Sequence, residues 1–488
     1  MSISSILLQN IKSTKKHIPF LGTNVNNAWK WNTRQDIYNS VIYSREQLQN
    51  WNVKKGDQVA FKGKNSFEWI TWNLATNSLG CVWVPMYHDQ NTDYCNYIIQ
   101  DCNPKIFLTD DMNIDVNIDK SPINVDNTYN PSSKIDYVDH SIATLIYTSG
   151  TTGSPKGVML SNENIISNVN TIRTRFYDLP SSTCLNILPW AHIYSQTCEL
   201  YYNMLYNNTI ALSTSREDFI QQCRQIQPNV LYLVPRVLEL VKNKVSRFEN
   251  TLMLQFAIPY ILKYLFGQKL KYIFTGGAKL NDETKYFYLK YGYHICEGYG
   301  CTETSPMISV NHFNSPCDVS SIGKVLDGIQ VEIINGEIQV SGPNVMLGYW
   351  NNEEATSSVL EERNGTTWYK TGDSGSIKDG FLYYDGRKSE NYKLSNGKFV
   401  NVQDVEQKMK TILSGNVVVF GENQLYNDII VTEQISNHDL NKINEMLDSY
   451  LRIDKVHVIS NDEFSSFLTP KMSIKRKQLI EYIKMKKI

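Results

Sequence analysis

The stretch that most constrains the fold of this chain is Tyr147 to Gly157, which reads YTSGTTGSPKG. Its glycines allow backbone N–H groups to crowd around an anion, its hydroxyl side chains add donors, and Lys156 adds a mobile cation. The apolar segment before it, residues 142 to 147, predicts a short buried strand, and Ser161 after it predicts the N-cap of a helix. A strand followed by such a loop is typical of a polyphosphate site, and the missing Gly-Lys-Ser/Thr triplet excludes a Walker A loop.

Length and composition predict a globular protein of two domains. The 488 residues suffice for one large and one small domain, and a hydrophobic content of 41% is ordinary for a water-soluble protein. The net charge of −1 gives no reason to expect nucleic acid as a partner. Nine cysteines without metal-ligand spacing, and a start without the pattern of a signal peptide, predict free thiols and a cytoplasmic location.

Membrane contact is predicted to be peripheral at most. No run of eighteen apolar residues occurs, so we expect no membrane-spanning helix. The closest stretch is residues 252 to 266, LMLQFAIPYILKYLF, which Pro259 and Lys263 interrupt. Two interpretations stay open for it: a buried helix pair that lines the core or an acyl site, and a peripheral contact with a membrane surface.

Four further motifs follow the glycine-rich loop. They are EGYGCTET at residues 297–304, GEIQVSGPNVMLGYW at 336–350, WYKTGD at 368–373 and DGRK at 385–388. Together with the loop, and in this order, they resemble the acyl-adenylate-forming or AMP-binding superfamily of acyl-CoA synthetases, luciferases and nonribosomal-peptide adenylation domains. The resemblance covers nearly all of the chain and is weakest after residue 406.

The alternation of strands and helices between residues 140 and 335 predicts an α/β fold. With the resemblance, we expect a large N-terminal domain over residues 1–385, built of packed α/β subdomains with a small β-rich subdomain over residues 336–385. A small mobile α+β domain is expected over residues 386–488. Residues 111–140 are polar and predict a surface loop.

The resemblance implies a two-step reaction that uses ATP, Mg²⁺ and coenzyme A. A carboxylate attacks the α-phosphate of ATP to give an acyl-adenylate and pyrophosphate, and the thiol of coenzyme A then displaces AMP. Four residues match catalytic positions of the family: Lys156, His192, Thr302 and Glu303. Lys471 is a fifth candidate catalytic residue, as a replacement for a family lysine. The nucleotide-binding positions are Thr148, Ser149, Gly150, Thr151, Thr152, Gly153, Lys156, Gly277, Ala278, Glu297, Gly298, Tyr299, Gly300, Thr302, Asp373 and Arg387.

Several of these positions carry a specific role in the family. Glu303 matches the Mg²⁺ ligand, an oxygen donor of the kind that this hard cation prefers. Tyr299 would stack on the adenine ring. Asp373 matches the carboxylate that accepts both ribose hydroxyls, and Arg387 matches a cation near the same sugar.

The substrate class is less narrowly defined. Residues 188–194, LPWAHIY, resemble a segment of long-chain acyl-CoA synthetases that places His192 beside the substrate carboxylate. Only a few tens of residues separate Arg236 from Phe274, where long-chain members usually carry a longer helical insert. A ligase for a medium-chain or aryl acid therefore stays open. The implied partners are small molecules, and the sequence gives no oligomeric state.

Two positions depart from the family pattern. Ser389 stands where the family places a lysine or aspartate at the hinge between its domains. Ser473 stands, in the ungapped register, where the family places the lysine that bridges carboxylate and α-phosphate. If the segment is extended, Lys471 shares a face with that position and could replace the lysine. The alternative is a nucleotide- or acyl-binding protein that has lost adenylation.

Overall fold

The computed structural model describes residues 3–13, 18–110, 120–125, 141–148, 155–249, 255–314, 318–468 and 474–486. The contacts divide the chain into two compact units. Unit 1 comprises Met1–Val331, Val340–Tyr369 and Asp379–Leu382, and unit 2 comprises Glu332–Gln339, Lys370–Lys378 and Tyr383–Ile488.

The predicted α/β fold class is confirmed. The domain boundary between residues 385 and 386 stays a prediction, and most of the predicted loop at 111–140 lies outside the described residues.

Helices and strands alternate along most of the chain. The α-helices are α1 (Ile3–Ser13), α2 (Arg34–Asn50), α3 (Phe67–Ser78), α4 (Thr92–Cys102), α5 (Asn162–Arg175), α6 (Tyr202–Leu205), α7 (Phe219–Ile226), α8 (Pro235–Val245), α9 (Ile258–Phe266), α10 (Asp282–Lys290), α11 (Glu353–Val359), α12 (Val402–Met409), α13 (Asn437–Met446), α14 (Asn461–Ser465) and α15 (Arg476–Lys486). A π-helical segment spans Ser195–Tyr201, and 3₁₀ turns span Ser246–Phe248, Gln255–Ala257, Thr302–Thr304 and Ser449–Leu451.

The strands fall into several sheets. They are β1 (Pro19–Val25), β2 (Ala28–Thr33), β3 (Gln58–Lys62), β4 (Val82–Met86), β5 (Ile106–Thr109), β6 (Lys120–Ser121), β7 (Thr144–Thr148), β8 (Lys156–Leu160), β9 (Thr183–Asn186), β10 (Thr209–Leu212), β11 (Val230–Leu233), β12 (Tyr272–Thr275), β13 (His294–Gly300), β14 (Met307–Val310), β15 (Lys324–Val325), β16 (Gln330–Ile334), β17 (Glu337–Ser341), β18 (Gly348–Tyr349), β19 (Leu360–Arg363), β20 (Thr366–Lys378), β21 (Phe381–Arg387), β22 (Tyr392–Lys393), β23 (Phe399–Val400), β24 (Val417–Phe420), β25 (Asn427–Val431) and β26 (Ile453–Val458).

One sheet of unit 1 aligns the strands that end at the predicted adenine segments. Its strand order runs β2-β1-β10-β9-β11-β12-β13-β14-β15. The strands β11, β12 and β13 are parallel, and Leu233 and Thr275, the last residues of β11 and β12, are in register with Glu297 of β13. Ligands of open parallel sheets bind beyond such ends. The glycine segments after Thr275 and Glu297 therefore begin at the same edge.

A second sheet of unit 1 carries the glycine-rich loop, in the order β18-β8-β7-β4-β3-β5-β6. The predicted buried strand is confirmed as β7. It pairs antiparallel with β8, and Thr148 stands opposite Lys156 at the end of this hairpin where the glycine-rich loop connects the two strands. The predicted helix start is confirmed too, because the Ser161 side chain accepts from the backbone N–H of Asn164 and caps α5.

The apolar segment at residues 252–266 contributes a buried stripe to unit 1. Helix α9 places Ile258, Leu262 and Phe266, spaced four residues apart, in a core shared with β11 and β12. Fully burying an apolar side chain of this size stabilises the fold by roughly 1.5–3 kcal/mol. Within the residues that the structure describes, no helix is both long and apolar enough to cross a membrane.

Unit 2 has its own core. Its three-stranded sheet has the order β24-β25-β26. One face packs against α12 and α13 through Val405, Val419 and Ile443. The other packs against α15 through Leu479 and Ile483. Unit 2 is therefore a small α+β body, and its mobility stays a prediction.

Candidate active site

Three side chains from distant parts of unit 1 meet at the hairpin that carries the glycine-rich loop. The ammonium of Lys156 lies 5.0 Å from the centroid of the Tyr349 ring. The hydroxyl of Tyr349 donates to Glu303 Oε1 at 2.9 Å. Strand β18 brings Tyr349 there, because it pairs antiparallel with β8. Lys156 and Glu303, both predicted site residues, therefore contact the same tyrosine.

Tyr349 is a residue to which the sequence analysis assigned no role. Burial, with the Glu303 carboxylate beside it, raises the pKa of Tyr349 above its usual range, so the phenol stays protonated and remains a donor. Its only sequence signal was its place within the motif at residues 336–350. The motif was identified as a sequence pattern of the family, and no physical function was assigned to this side chain.

The segment around Glu303 is fixed by hydrogen bonds to its backbone. Met346 N–H donates to the Glu303 carbonyl at 2.9 Å, and Asn344 Nδ2 donates to the Thr304 carbonyl at 3.2 Å. Gly300 has φ 156°, and a Cβ there would lie 1.7 Å from the Pro306 carbonyl oxygen, so only glycine fits. The Glu303 side chain therefore projects from a backbone that is already positioned.

The structure describes only the two ends of the predicted phosphate loop. Thr148 and Lys156 form its base as a register pair. Five predicted binding positions lie outside the described residues: Ser149, Gly150, Thr151, Thr152 and Gly153. Lys471 and Ser473 lie outside them as well.

At the predicted adenine segments, Glu297 supports a loop. Its carboxylate is buried, pairs with Lys285 Nζ at 2.6 Å and accepts from Leu280 N–H at 2.6 Å. These bonds anchor the loop that contains Gly277 and Ala278 to the middle of β13. Gly277 has φ 82°, which glycine adopts without strain. Direct contact of Glu297, Gly298, Tyr299 or Ala278 with a nucleotide stays a prediction.

In unit 2, Asp373 and Arg387 form an ion pair. Arg387 Nε lies 3.0 Å from Asp373 Oδ1, and Arg387 Nη1 donates to the Thr371 carbonyl at 2.9 Å. The Thr371 hydroxyl accepts from Asp373 N–H at 3.0 Å. The carboxylate is buried and the guanidinium is half-exposed. The pair can offer one acceptor group and one cation to a polar ligand.

His192 lies in a tight turn that orients its ring. The backbone N–H of Tyr194 donates to His192 Nδ1 at 3.1 Å. Because Nδ1 accepts, the neutral ring carries its proton on Nε2. The half-buried imidazole can therefore donate a hydrogen bond through Nε2 to an anion.

A buried polar network holds that turn. Asn65 accepts from Trp190 N–H at 2.8 Å and donates to the Leu188 carbonyl and to Asn186 Oδ1, each at 2.7 Å. Asn186 Nδ2 in turn donates to Glu199 Oε2 at 2.6 Å. Glu199 is fully buried, and burial raises its pKa to about 8. No role for Asn65, Asn186 and Glu199 was predicted, because nothing local in the sequence shows that they meet.

A small apolar cavity lies behind the ends of β12 and β13. Its volume is about 20 Å³, room for roughly one water molecule. Tyr194, which follows the His192 turn, lines it together with Gly298. The other lining side chains are mainly aromatic, apolar or thiol-bearing: Ile172, Phe176, Cys198, Tyr202, Tyr232, Phe274, Thr275, Cys296, Met307 and Val310.

Comparison with known proteins identifies related sequences and folds. A family model described as AMP-binding enzyme matches residues 14–350. Long-chain-fatty-acid–CoA ligase FadD15 of Mycobacterium bovis is 25% identical over 84% of this chain and 78% of its own length. Human long-chain-fatty-acid–CoA ligase ACSBG1 is 25% identical over 82% of this chain and 67% of its own length.

Solved structures share the fold over almost the whole chain. O-succinylbenzoate coenzyme A synthetase (MenE) from Bacillus subtilis, in complex with ATP and magnesium ion, aligns with a TM-score of 0.78. The alignment covers 97% of this chain and 98% of that one, at 23% sequence identity. This likeness establishes the fold and leaves the substrate open.

Proposed function

The chain belongs to the AMP-binding enzyme family, and from that premise we propose that it is an ATP-dependent acyl-CoA synthetase acting on long-chain fatty acids. It is a member of the acyl-adenylate-forming CoA ligases. One observation carries the proposal: Lys156 and Glu303 flank Tyr349 at the base of the glycine-rich loop. A cation and a carboxylate so placed suit the phosphates of ATP and their metal ion.

In the first half-reaction, a carboxylate oxygen of the fatty acid attacks the α-phosphorus of ATP. The bond between the α-phosphorus and the bridging oxygen breaks, and pyrophosphate leaves with the electron pair. Lys156 and Thr302 stabilise the charge on the phosphate oxygens. His192 donates through Nε2 to the carboxylate and orients it.

The residues present fit a magnesium ion. Glu303 uses one carboxylate oxygen to accept from Tyr349 and keeps the other available. Within the described ranges, no group of three His, Cys, Asp or Glu side chains could hold a metal. Mg²⁺ commonly takes one or two carboxylates and completes its shell with phosphates and water. When bound, it neutralises phosphate charge as the leaving group departs.

In the second half-reaction, the thiol of coenzyme A attacks the acyl carbonyl. The bond between the acyl carbon and the oxygen of AMP breaks, and AMP leaves with that oxygen. Rotation of the C-terminal domain about residues 386–389 would exchange the adenylation face for the thioester face. Ser389 suits a hinge, since such a position only needs to absorb a change of backbone dihedrals.

Support for a long-chain acid comes from the relatives and from the segment at residues 188–194. Both FadD15 and ACSBG1 are named long-chain-fatty-acid–CoA ligases. The small cavity that Tyr194 lines is apolar, as an acyl chain requires, but it would have to widen to admit one. A shorter or aryl acid is the competing substrate.

The experiment is ATP–pyrophosphate exchange with a panel of octanoate, dodecanoate, hexadecanoate and benzoate. Wild type is compared with Lys471→Ala and Ser473→Lys, and the exposed Lys477→Ala is the matched control. We expect exchange with the long acids, lost in Lys471→Ala and kept in Lys477→Ala. Exchange with benzoate alone would reassign the substrate.

A second candidate is a nucleotide- or acyl-binding protein without adenylation, and Ser473 favours it. A serine carries no charge and is too short to bridge two anions. This candidate predicts ATP binding that depends on Mg²⁺ and Lys156, without exchange in wild type. Exchange that appears in Ser473→Lys would then show a site that has lost only its lysine.

A further inference from the structure

An exposed aromatic stripe runs along the 3₁₀ turn Gln255–Ala257 and the helix α9 that follows it. Phe256, Tyr260 and Tyr264 are 71%, 76% and 57% exposed and follow one another at intervals of four residues. Tyr260 lies two residues after the buried Ile258, which is about 200° around a helix. The stripe is therefore opposite the face that packs into the core. Core packing explains Ile258, Leu262 and Phe266 and leaves this stripe without a function inside unit 1.

Helix α7 packs beside α9 and extends the same face. The Arg224 guanidinium lies 4.4 Å from the centroid of the Tyr264 ring. Ile220 lies one turn before Arg224 on α7 and is 40% exposed. We call Ile220, Arg224, Phe256, Tyr260, Lys263 and Tyr264 the aromatic–basic face.

Aromatic side chains continue beyond Arg224. Trp29 Nε1 donates to the side chain of Gln225, the next residue of α7, at 2.9 Å. Trp29 stacks on Trp31 with ring centroids 6.2 Å apart, and both line an open groove with Ile226. Tryptophan and tyrosine are the residues enriched where an apolar phase meets water.

The charge of this region is positive, although that of the whole chain is −1. Residues 219–227 and 255–271 contain four charged side chains, all basic: Arg224, Lys263, Lys269 and Lys271. The acidic residues nearest to α7 in the sequence, Glu217 and Asp218, precede it at the end away from Arg224. A face with exposed aromatic rings and cations complements a surface that is anionic above and apolar beneath.

We propose that the aromatic–basic face docks on the surface of an anionic phospholipid bilayer, with Phe256, Tyr260 and Tyr264 at the level of the headgroups. Lys263 and Arg224 contact lipid phosphates, while α9 lies parallel to the membrane plane. This inference goes beyond the proposed ligase activity and does not depend on it, since docking requires neither ATP nor turnover.

The test is co-sedimentation of the full chain with sucrose-loaded vesicles, without ATP. One set is pure phosphatidylcholine and the other also contains phosphatidylglycerol. We expect binding to the anionic vesicles that weakens as NaCl is added, because salt screens the attraction. The double variant Phe256→Ser/Tyr260→Ser should reduce the partition coefficient about tenfold or more, and Lys263→Glu should reduce it roughly fivefold or more.

Matched controls separate docking from misfolding. Tyr286→Ser removes a tyrosine that is 58% exposed on α10, and Lys105→Glu reverses an exposed charge elsewhere in unit 1. Both should bind vesicles like wild type. Wild type that stays in the supernatant with anionic vesicles would overturn the proposal. A double variant that binds vesicles as well as wild type would also overturn it. So would a wild type that does not bind vesicles but forms a dimer, if the double variant loses that dimer.

Discussion

At the scale of residues, the site depends on how Tyr349 joins Lys156 to Glu303. The ring faces the ammonium at 5.0 Å, and the hydroxyl donates to the carboxylate. A protonated phenol that donates to a carboxylate restrains the rotamer of that side chain. The Glu303 side chain is therefore held in a fixed position.

We predict that Tyr349→Phe lowers kcat/KM for ATP about tenfold, since a hydrogen bond to a charged group contributes roughly 1.5–3 kcal/mol. The ring that faces Lys156 is retained, so the variant removes only the hydrogen bonds of the hydroxyl, to Glu303 and Tyr369. Pyrophosphate exchange across a range of ATP concentrations measures the change. Tyr286→Phe is the control, and equal rates in all three proteins would refute the role of Tyr349.

The sequence predicted Lys156 and Glu303 because each lies in a motif whose chemistry is local. It did not predict the role of Tyr349, because the contact joins residues 46 apart in the chain. The sequence also did not predict the buried ion pair of Glu297 with Lys285. Direct contact of Glu297 with a nucleotide stays a prediction.

At the scale of elements, the π-helical segment and β9 are tied by a buried carboxyl group. Glu199 lies on the segment Ser195–Tyr201 and accepts from Asn186 at the end of β9. Asn186 connects through Asn65 to the turn that carries His192. Burial raises the pKa of Glu199 from 4.5 to about 8. The carboxyl group is therefore mostly neutral in the folded protein near pH 7.

We predict that Glu199 makes the free energy of unfolding of wild type fall as the pH rises. Glu199→Gln should remove this fall. Between pH 4.5 and 8, the unfolded chain releases the proton of Glu199 while the folded protein retains it. The free energy of unfolding then falls by about 1 kcal/mol per pH unit and levels off above the folded pKa. Glutamine cannot ionise and avoids this fall.

Urea titrations at pH 5.5, 6.5 and 7.5 measure the effect as the difference between variant and wild type. That difference should grow with pH in favour of Glu199→Gln. The exposed Glu445→Gln serves as the control and should give no such trend. Parallel pH profiles for wild type and Glu199→Gln would contradict a neutral Glu199.

Local elements were the easiest to predict. Strand β7 follows from its apolar run, and the start of α5 follows from Ser161, since both signals act over a few residues. The network of Asn65, Asn186 and Glu199 could not be predicted. Asn65 and Asn186 are 121 residues apart, and a glutamate is normally exposed. Only tertiary packing buries it.

At the scale of the whole molecule, the order of five motifs predicted the family and the α/β fold. The motifs concern the binding of the nucleotide, which all members of the family share. They therefore do not define the acyl group. We propose that the choice of acyl group depends on the small apolar cavity beside Tyr194. That cavity is lined by residues from 172 to 310, so no single segment of the sequence specifies it. Two compact units are consistent with a mobile C-terminal domain and do not establish its motion.

The central claim is that this protein joins a fatty carboxylate to the α-phosphate of ATP. The most direct measurement is to incubate it with ATP, Mg²⁺, coenzyme A and dodecanoate labelled with ¹⁸O in its carboxylate, and to analyse the products by mass spectrometry. We predict AMP that carries one ¹⁸O atom, together with dodecanoyl-CoA. ADP with labelled phosphate, or bound ATP without any turnover, would contradict the claim.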